Sequence, residues 1–524
     1  MKSFRYKDRH PDDTVANIFD ILTSLEQIVE VEIHYTRTFY SAKLSLKDTN
    51  ISVEGKGGSI PFCLASAFGE MYERLINLVP FKLTSNALYN YDTVPYPYAL
   101  LSATKYQECF HNFISQFGIS KSLSEQLFDL LTHYESYGNL TTHLLEMRSS
   151  TECYSIPTRL IDLLYGTNGM STGNSKHEAL CQSFCEIIER HYLYKLLHNK
   201  IRLYKVTDRI MMSDTYANSI NDFKLNGLEI DIYLIPNSIG VSICVIAISY
   251  PSIEHIFCKV GVHPIETFAI ERTFTELFQN RSIASIKSQL EDNQRAHIDY
   301  TSLENFLNIC RNDNGFFSKK ILESCTQTCH SNIIYDNYSE ACAGIIEYFY
   351  KHNYHIYYCF YEFHDMYTYH VIIPQYSELV SPIEISSEMI NYNLKILTAK
   401  SLLSRIRKLN IEEYTKLHQI LSTDSTIIPL LTSDYSKDCP MNSNVNLDNL
   451  KTLLFSYCEK KIVSSEQGND TLNALYCEKL LPYDCLNCSQ ANTCNFAQTN
   501  KKLLDNLLKI LSQNAKKTTT EAYQ

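Results

Sequence analysis

The sequence predicts an α+β fold: a core of mixed or antiparallel sheet with helices on one side, followed by a mainly helical carboxy-terminal domain. Three observations lead there. Short β-rich runs alternate with stretches of helical periodicity, several strands follow one another as meanders, and strand signals stop after about residue 395. A chain of 524 residues has room for more than one unit. The boundary is drawn between a core, 1–395, and a helical domain, 396–524.

Taken in order, residues 31–54 hold two β-rich runs, VEIHYTRTFY and LSLKDTNISVE, separated and followed by polar turns, which predicts paired strands. GKGGS breaks the pattern. From Ile60 the spacing becomes helical, and FCLASAFGEMYERLINLV reads as an amphipathic helix. Residues 80–160, rich in proline and tyrosine and then helical at SLSEQLFDLLTHYES, read as an insertion around the core. The segment YGTNGMSTGNS is a loop that leads through a Ser175/Glu178 capping box into a long helix. Strands LEIDIYLIP and GVSICVIAISYP follow, then GVHPIETFAIERTFTELFQNRS as loop and helix, then HIYYCFYEF and YTYHVIIP as two strands joined by a tight turn. Beyond them the chain reads as helices with polar linkers.

Hydrophobic residues at 44 % and charged residues at 20 % describe a folded protein. A net charge of −11 argues against direct, non-specific binding of nucleic acid, which depends on lysine and arginine neutralising phosphates. The amino terminus carries no apolar stretch long enough for a secretory signal, and no run approaches a membrane span, so a cytoplasmic protein with no membrane partner is expected. The 18 cysteines are then expected to be reduced. The 38 tyrosines, with no tryptophan, fit stacking surfaces or an adenine- and thymine-rich codon bias equally well, and carry no assignment.

On the helix after STGNS, Glu178, Gln182, Glu186 and Glu189 fall on one face and Leu180, Phe184, Ile187 and Ile188 on the other. Like charges at this spacing repel, and no lysine occupies the compensating positions. A single ExxER on a helix reads as a solvated acidic face. Here the figure recurs, as Glu70 and Glu73 before Arg74 and as Glu186 and Glu189 before Arg190, while Arg272 and Glu276 lie one turn apart on a third helix. Glutamates gathered with arginines suit a magnesium–nucleotide pocket, because magnesium takes oxygen ligands and arginines clamp phosphates. The STGNS loop before a helix amino terminus also favours an anion. There is no GxxxxGK[ST] loop.

The motifs SAFGEMYER, STGNSKHEALCQSFCEIIER and RTFTE, in that order, resemble the signature of the YcaO family, and GKGG, TNGMS, GVHP and VIIPQYSELVSPIE extend the likeness over roughly residues 1–395. The form resembled is the stand-alone bacterial one, similar to an accessory factor for methylthiolation of a ribosomal protein. The resemblance implies a YcaO-type core whose helices line a nucleotide site, with ATP and magnesium bound there. It implies Ser171, Asn174, Glu178, Arg190 and Arg272 as nucleotide contacts, Glu70, Glu186, Glu189 and Glu276 as magnesium ligands, and Glu73 as either. Lys7 and Thr14, in YKDRHPDDT, fall in a segment that resembles one folding over the nucleotide.

The reaction implied is attack of a backbone amide oxygen of a peptide or protein on the γ-phosphate, leading to an azoline or a thioamide. It needs no protein nucleophile, so no catalytic residue is assigned. His263, in GVHP, reads as a structural turn residue or as an acid–base. The chain ends KKTTTEAYQ after a last proline at Pro482, unlike azoline-forming members with proline-rich tails. No fused domain precedes the core, so a separate substrate-delivery or sulfur-transfer partner is expected, and a homodimer is left open. The alternative function is a non-enzymatic ATP-binding accessory or scaffold factor for a methylthiotransferase or other modifying enzyme.

Near the carboxy terminus, Cys477, Cys485, Cys488 and Cys494 form Cx7Cx2Cx5C. Four thiolates at this spacing suit a 4Fe-4S cluster or zinc, and the alternative is scattered reduced cysteines. A chiefly metal-sensing protein is a third, weaker reading. Anaerobic purification followed by iron, sulfide and zinc analysis is expected to show stoichiometric metal; none would leave ordinary thiols.

Overall fold

The computed structural model describes residues 7–36, 39–49, 51–81, 97–134, 140–147, 153–206, 214–278, 281–293, 298–312, 315–323, 325–326, 335–387, 389–391, 410–423 and 495–521, with isolated positions at 394, 398 and 402. Helix α1 (Pro11–Ser24) comes first, its start set by Pro11 and by Asp12 and Asp13 at the positive end of the dipole. An antiparallel sheet follows, of β1 (Val29–Thr36), β2 (Phe39–Leu46) and β3 (Ser52–Gly57), in that spatial order. The two β-rich runs thus give three strands, because each run is broken internally. In the second run the chain reverses at Asp48, with φ 57°, where Thr49 Oγ1 donates to the Leu46 carbonyl at 2.7 Å.

Helix α2 (Ile60–Ile76) lies on β3 and β2. Their approach is close: a Cβ on Gly57 would stand 2.5 Å from the Cys63 amide nitrogen, so the GKGG motif is a packing requirement.

A second sheet draws β4 (Tyr98–Leu101), β5 (Leu140–Met147), β6 (Cys153–Pro157) and β7 (Met170–Gly173) from the region before the long helix. It is completed by β14 (Tyr357–Phe363) and β15 (Met366–Ile372), in the order β4-β5-β14-β15-β7 with β6 on β5. Residues 80–160 are therefore no simple insertion. Their strands, such as LTTHLLEM, carry too little alternation to be read as such, and pairing with β14 supplies the missing order. The β14–β15 hairpin turns through His364 and Asp365, both at positive φ, as two-residue hairpins require.

Helix α3 (Lys176–Leu197) leaves β7 and leads to a third sheet: β8 (Leu203–Lys205), β9 (Glu229–Leu234), β10 (Ser242–Ser249), β11 (His255–His263), β12 (Phe317–Ser318) and β13 (Cys325–Thr326), in the order β12-β11-β10-β9-β8-β13. β13 runs parallel to β8 and the other pairs of this sheet are antiparallel, which makes it mixed. It is not covered on one side alone. Val245, Val260 and Val262 face α3 and helix α5 (Tyr338–Lys351), while Ile246, Ile248 and Phe257 face helix α4 (Glu266–Leu277).

Among the described residues beyond 402 are α6 (Ile411–Thr423) and α7 (Asn495–Glu521). α7 is tied to the core: Leu503, Leu504, Leu507, Leu508 and Leu511 are buried in the cluster that also holds α2 and β14 residues. No helix among the described residues is long and apolar enough to cross a membrane. The nine cysteines whose side chains are described carry free thiols.

Gly173 repeats the Gly57 arrangement, its absent Cβ lying 2.6 Å from the Ala179 nitrogen. Alanine at Gly57 or Gly173 should cost about 1–3 kcal/mol, measured by urea denaturation. G58A, where the added carbon meets only Glu271 Oε1 at 3.5 Å, should stay within about 0.5 kcal/mol.

Candidate functional site

Two stretches of chain build matching walls. In each, a strand ends on a glycine, one residue follows, a serine takes the N-cap position and a helix begins: Gly57, Ser59 and α2, then Gly173, Ser175 and α3. One constant sequence offset carries the match into the helices, relating Glu70 to Glu186, Glu73 to Glu189 and Arg74 to Arg190. It also holds where strand and helix touch. Gly55 abuts Ala67, whose nitrogen would lie 2.4 Å from an added Cβ, and at the matching positions Ser171 and Ser183 join hydroxyls at 2.6 Å.

These walls, with β3, β11, α4 and the amino-terminal segment, enclose a cavity of about 400 Å³. Lys7, Thr14, Glu70, Glu73, Asn174, Glu178, Glu186, Glu189, Arg190, Arg272 and Glu276 all line it. Ser171 does not. Its hydroxyl is buried against the Ala179 carbonyl at 2.6 Å, where it fixes α3 on β7, and its neighbour Thr172 faces the cavity instead.

The amino-terminal segment is laced to the start of α3. Lys7 Nζ lies 3.1 Å from Glu178 Oε1, the Asp8 amide donates to Glu178 Oε2 at 3.0 Å, and Thr14 Oγ1 donates to Asn174 Oδ1 at 2.8 Å. Only half of the expected capping box forms. Ser175 Oγ accepts from the Glu178 amide at 3.1 Å, but the Glu178 carboxylate is already engaged by Lys7, Asp8 and Asn174 and does not return to the N-cap.

The carboxylates differ sharply in their electrostatics. Burial pushes Glu73 up to about 7, against the pull of Arg74, and pushes Glu186 up to about 8, against Arg190. Glu189 is raised for the same reason. Arg74 stands 3.4 Å from Glu70 and 3.5 Å from Glu73, and Arg190 lies 3.9 Å from Glu189, which answers part of the repulsion along the glutamate stripe. Glu276 goes the other way. Burial alone would raise it, but Lys56, which pairs with it, together with Lys259 and Arg272, holds it down to about 2.

Lys56 and Lys259 were missed in the sequence, although each had a signal. A lysine inside GKGG or CKVG, where the flanking residues must pack, has to meet an anion. Arg272 donates to Gln182 Oε1 at 2.8 Å, which gives that member of the α3 stripe a task. His263 is buried at the cavity edge with Nδ1 accepting from the Ile265 amide at 3.0 Å and Nε2 3.3 Å from the Tyr338 hydroxyl, and burial pushes its pKa well down. Both ring nitrogens thus have partners within the fold.

Magnesium is usually held by one or two carboxylates, with water and phosphate oxygens completing its shell. The α2 and α3 wall offers carboxylate oxygens of the kind that ion takes, since Glu70, Glu73, Glu186 and Glu189 all line the cavity. Among the described residues no group of three or more His, Cys, Asp or Glu side chains converges as a metal site, so the expected ligands Glu70, Glu186, Glu189 and Glu276 are not gathered into one cluster. Glu276 is the least suited of the four expected ligands, being paired with Lys56. Cys477, Cys485, Cys488 and Cys494 lie outside the described residues.

Residues 54–377 match the family model described as YcaO cyclodehydratase, ATP- and Mg2+-binding. An uncharacterized protein of Haemophilus influenzae is 29 % identical over 53 % of this chain and 50 % of its own length. The ribosomal protein S12 methylthiotransferase accessory factor YcaO of Escherichia coli is 26 % identical over the same shares. The chain thus spans about half the length of the curated relatives it matches. Among solved structures, a heterocyclase in complex with substrate and cofactor aligns at TM-score 0.47 and 15 % identity, over 71 % of this chain and 53 % of the other. YcaO from Methanopyrus kandleri bound with AMPPCP and Mg2+ aligns at TM-score 0.45 and 12 % identity, over 71 % and 94 %.

Removing Glu178 leaves the Asp8 amide and Asn174 without their shared acceptor. E178A should therefore speed hydrogen exchange across residues 7–14 and cost about 1–3 kcal/mol of stability, measured by exchange mass spectrometry and denaturation.

Proposed function

We propose that this chain, which belongs to the YcaO family, uses ATP to activate a backbone amide in a peptide or protein by phosphorylating its oxygen. The observation that carries the reading is the convergence of both ExxER helices, Arg272 and the amino-terminal segment on one cavity. Arg74, Arg190 and Arg272 place guanidinium groups at its walls, suited to the charge of a triphosphate. Lys7 and Thr14, anchored on Glu178 and Asn174, hold the amino-terminal segment beside the same space and restrict water. Glu70, Glu73, Glu186 and Glu189 would hold magnesium, which when bound supplies charge neutralisation between carboxylates and phosphates. Glu276, with Lys56, Lys259 and Arg272 around it, would complete the phosphate side.

In the proposed reaction the amide oxygen attacks the γ-phosphorus and ADP leaves. A sulfur or hydroxyl nucleophile then adds to the amide carbon, and phosphate departs with the former amide oxygen, giving an azoline from a side chain or a thioamide from an external sulfur donor. The chain's contribution is positioning and charge placement, as in other phosphoryl transfers. The peptide would reach it through a separate delivery or sulfur-transfer protein, in the cytoplasm. The likeness to a methylthiotransferase accessory factor supports a second reading, an ATP-binding accessory factor without turnover of its own.

Phosphate release measured with peptide and partner separates the two. The enzyme should show peptide-dependent release that falls by about 100-fold or more in E186Q and E189Q, with the fold intact by circular dichroism. Nucleotide binding with no such release would favour the accessory role, and release indifferent to both variants would sink the proposed site.

A further inference from the structure

The two helix entries that bound the cavity are matched in position and unlike in chemistry. The offset that relates Glu70 to Glu186 also relates Gly58 to Asn174 and Phe62 to Glu178. At the entry of α3, Asn174 and Glu178 hold Thr14 and Lys7 of the amino-terminal segment. At the entry of α2 the same two positions are a glycine and a phenylalanine, and both line the cavity. There is room over Gly58: a carbon added there would meet only the Glu271 carboxylate, with Oε1 at 3.5 Å. A backbone can approach closely at such a place.

Glu271, the residue before Arg272 on α4, is partly buried and lines the cavity. It differs from the other carboxylates there. Glu70 and Glu73 stand beside Arg74, Glu178 beside Lys7, Glu189 beside Arg190 and Glu276 beside Lys56, while Glu186 feels Arg190 and Arg74. Glu271 has no hydrogen-bond or ion-pair partner among the described residues, and burial raises its pKa with no cation opposing the rise. A carboxylate in a reaction cavity with no cation to satisfy is available to take a proton. We infer that Glu271 is the general base of the amide activation proposed above, on which this assignment rests, and that the acceptor amide lies over Gly58 beside Phe62. As the amide oxygen bonds to the γ-phosphorus and the bond from phosphorus to ADP breaks, the proton on the amide nitrogen passes to a Glu271 oxygen. The electron pair of that N–H bond becomes the second C–N bond. The phosphorylated amide is left as a C=N group with no charge on nitrogen, open to attack at carbon.

Phosphate release from magnesium–ATP by the full chain, with N-acetylglycylcysteinamide as the probe peptide, tests this. The native protein should release phosphate when the probe is present, and E271Q and E271A should lower kcat by about 100-fold or more. The KM for the probe and the affinity for AMPPCP should stay within about threefold of native. Formate should restore about tenfold or more to E271A, because a small carboxylate can enter the space the side chain leaves; neither a structural nor a binding role gives that rescue. Circular dichroism and AMPPCP binding check that the variants fold. Release unchanged in E271Q but lost in E186Q would overturn the base and leave the proposed function standing. Loss of AMPPCP affinity in E271Q, or a raised KM without formate rescue, would overturn it by assigning Glu271 to the nucleotide or to peptide binding. No release from the native protein would overturn the inference together with the reading beneath it.

Discussion

Everything at the centre of this protein answers to one constraint: several carboxylates are buried in a single cavity with fewer cations beside them than their charge requires. Burying an ionised carboxylate costs several kcal/mol unless partners compensate. Burial consequently raises the pKa of Glu73, Glu186 and Glu189, while Lys56, Lys259 and Arg272 hold that of Glu276 down. The cavity therefore carries its charge unevenly. It is electrostatically suited to a divalent cation on the α2 and α3 side and to phosphate charge near the lysines and arginines.

Holding such groups in place demands rigid support, and the fold gives the same support twice. A strand ending in glycine lets the following helix settle against it, a serine stands at the N-cap position, its hydroxyl bonding the helix amide only in α3, and the ExxER residues appear at a fixed distance along the helix. The two copies differ where their tasks differ. Gly55 and Ala67 make a bare contact in one, whereas Ser171 and Ser183 make a hydrogen bond in the other, and the second copy adds Asn174 and Glu178 to secure the amino-terminal segment. The recurrence of ExxER is thus the visible part of a longer structural match that includes strand, turn and cap.

Much of this could be read from the chain. Helical periodicity located α2, α3 and α4, and β14 with β15 declared themselves by two apolar runs around a short turn. The cavity residues followed from recurrence rather than from any one motif. β11 stayed hidden because it is buried on both faces, so HIFCKVGVH lacks the alternation that marks a strand with one wet side. The strands between 98 and 157 stayed hidden for a different reason, since β4 and β6 are ordered by pairing with β5, and β5 in turn pairs with β14 about 210 residues further along the chain. The resemblance implies Ser171 as a nucleotide contact, yet side-chain direction alternates along a strand, and Thr172 takes the cavity side. Lys56 and Lys259 were legible in principle, as charges inside packed runs.

The central claim is that the amide oxygen of a peptide becomes an oxygen of phosphate in this cavity. Its most direct measurement is mass spectrometry of the phosphate released from ATP when the substrate peptide carries 18O at the modified carbonyl. The account predicts one labelled oxygen in each phosphate released with product formation. Phosphate labelled only from 18O water, with the peptide carbonyl retaining its own oxygen, would contradict it.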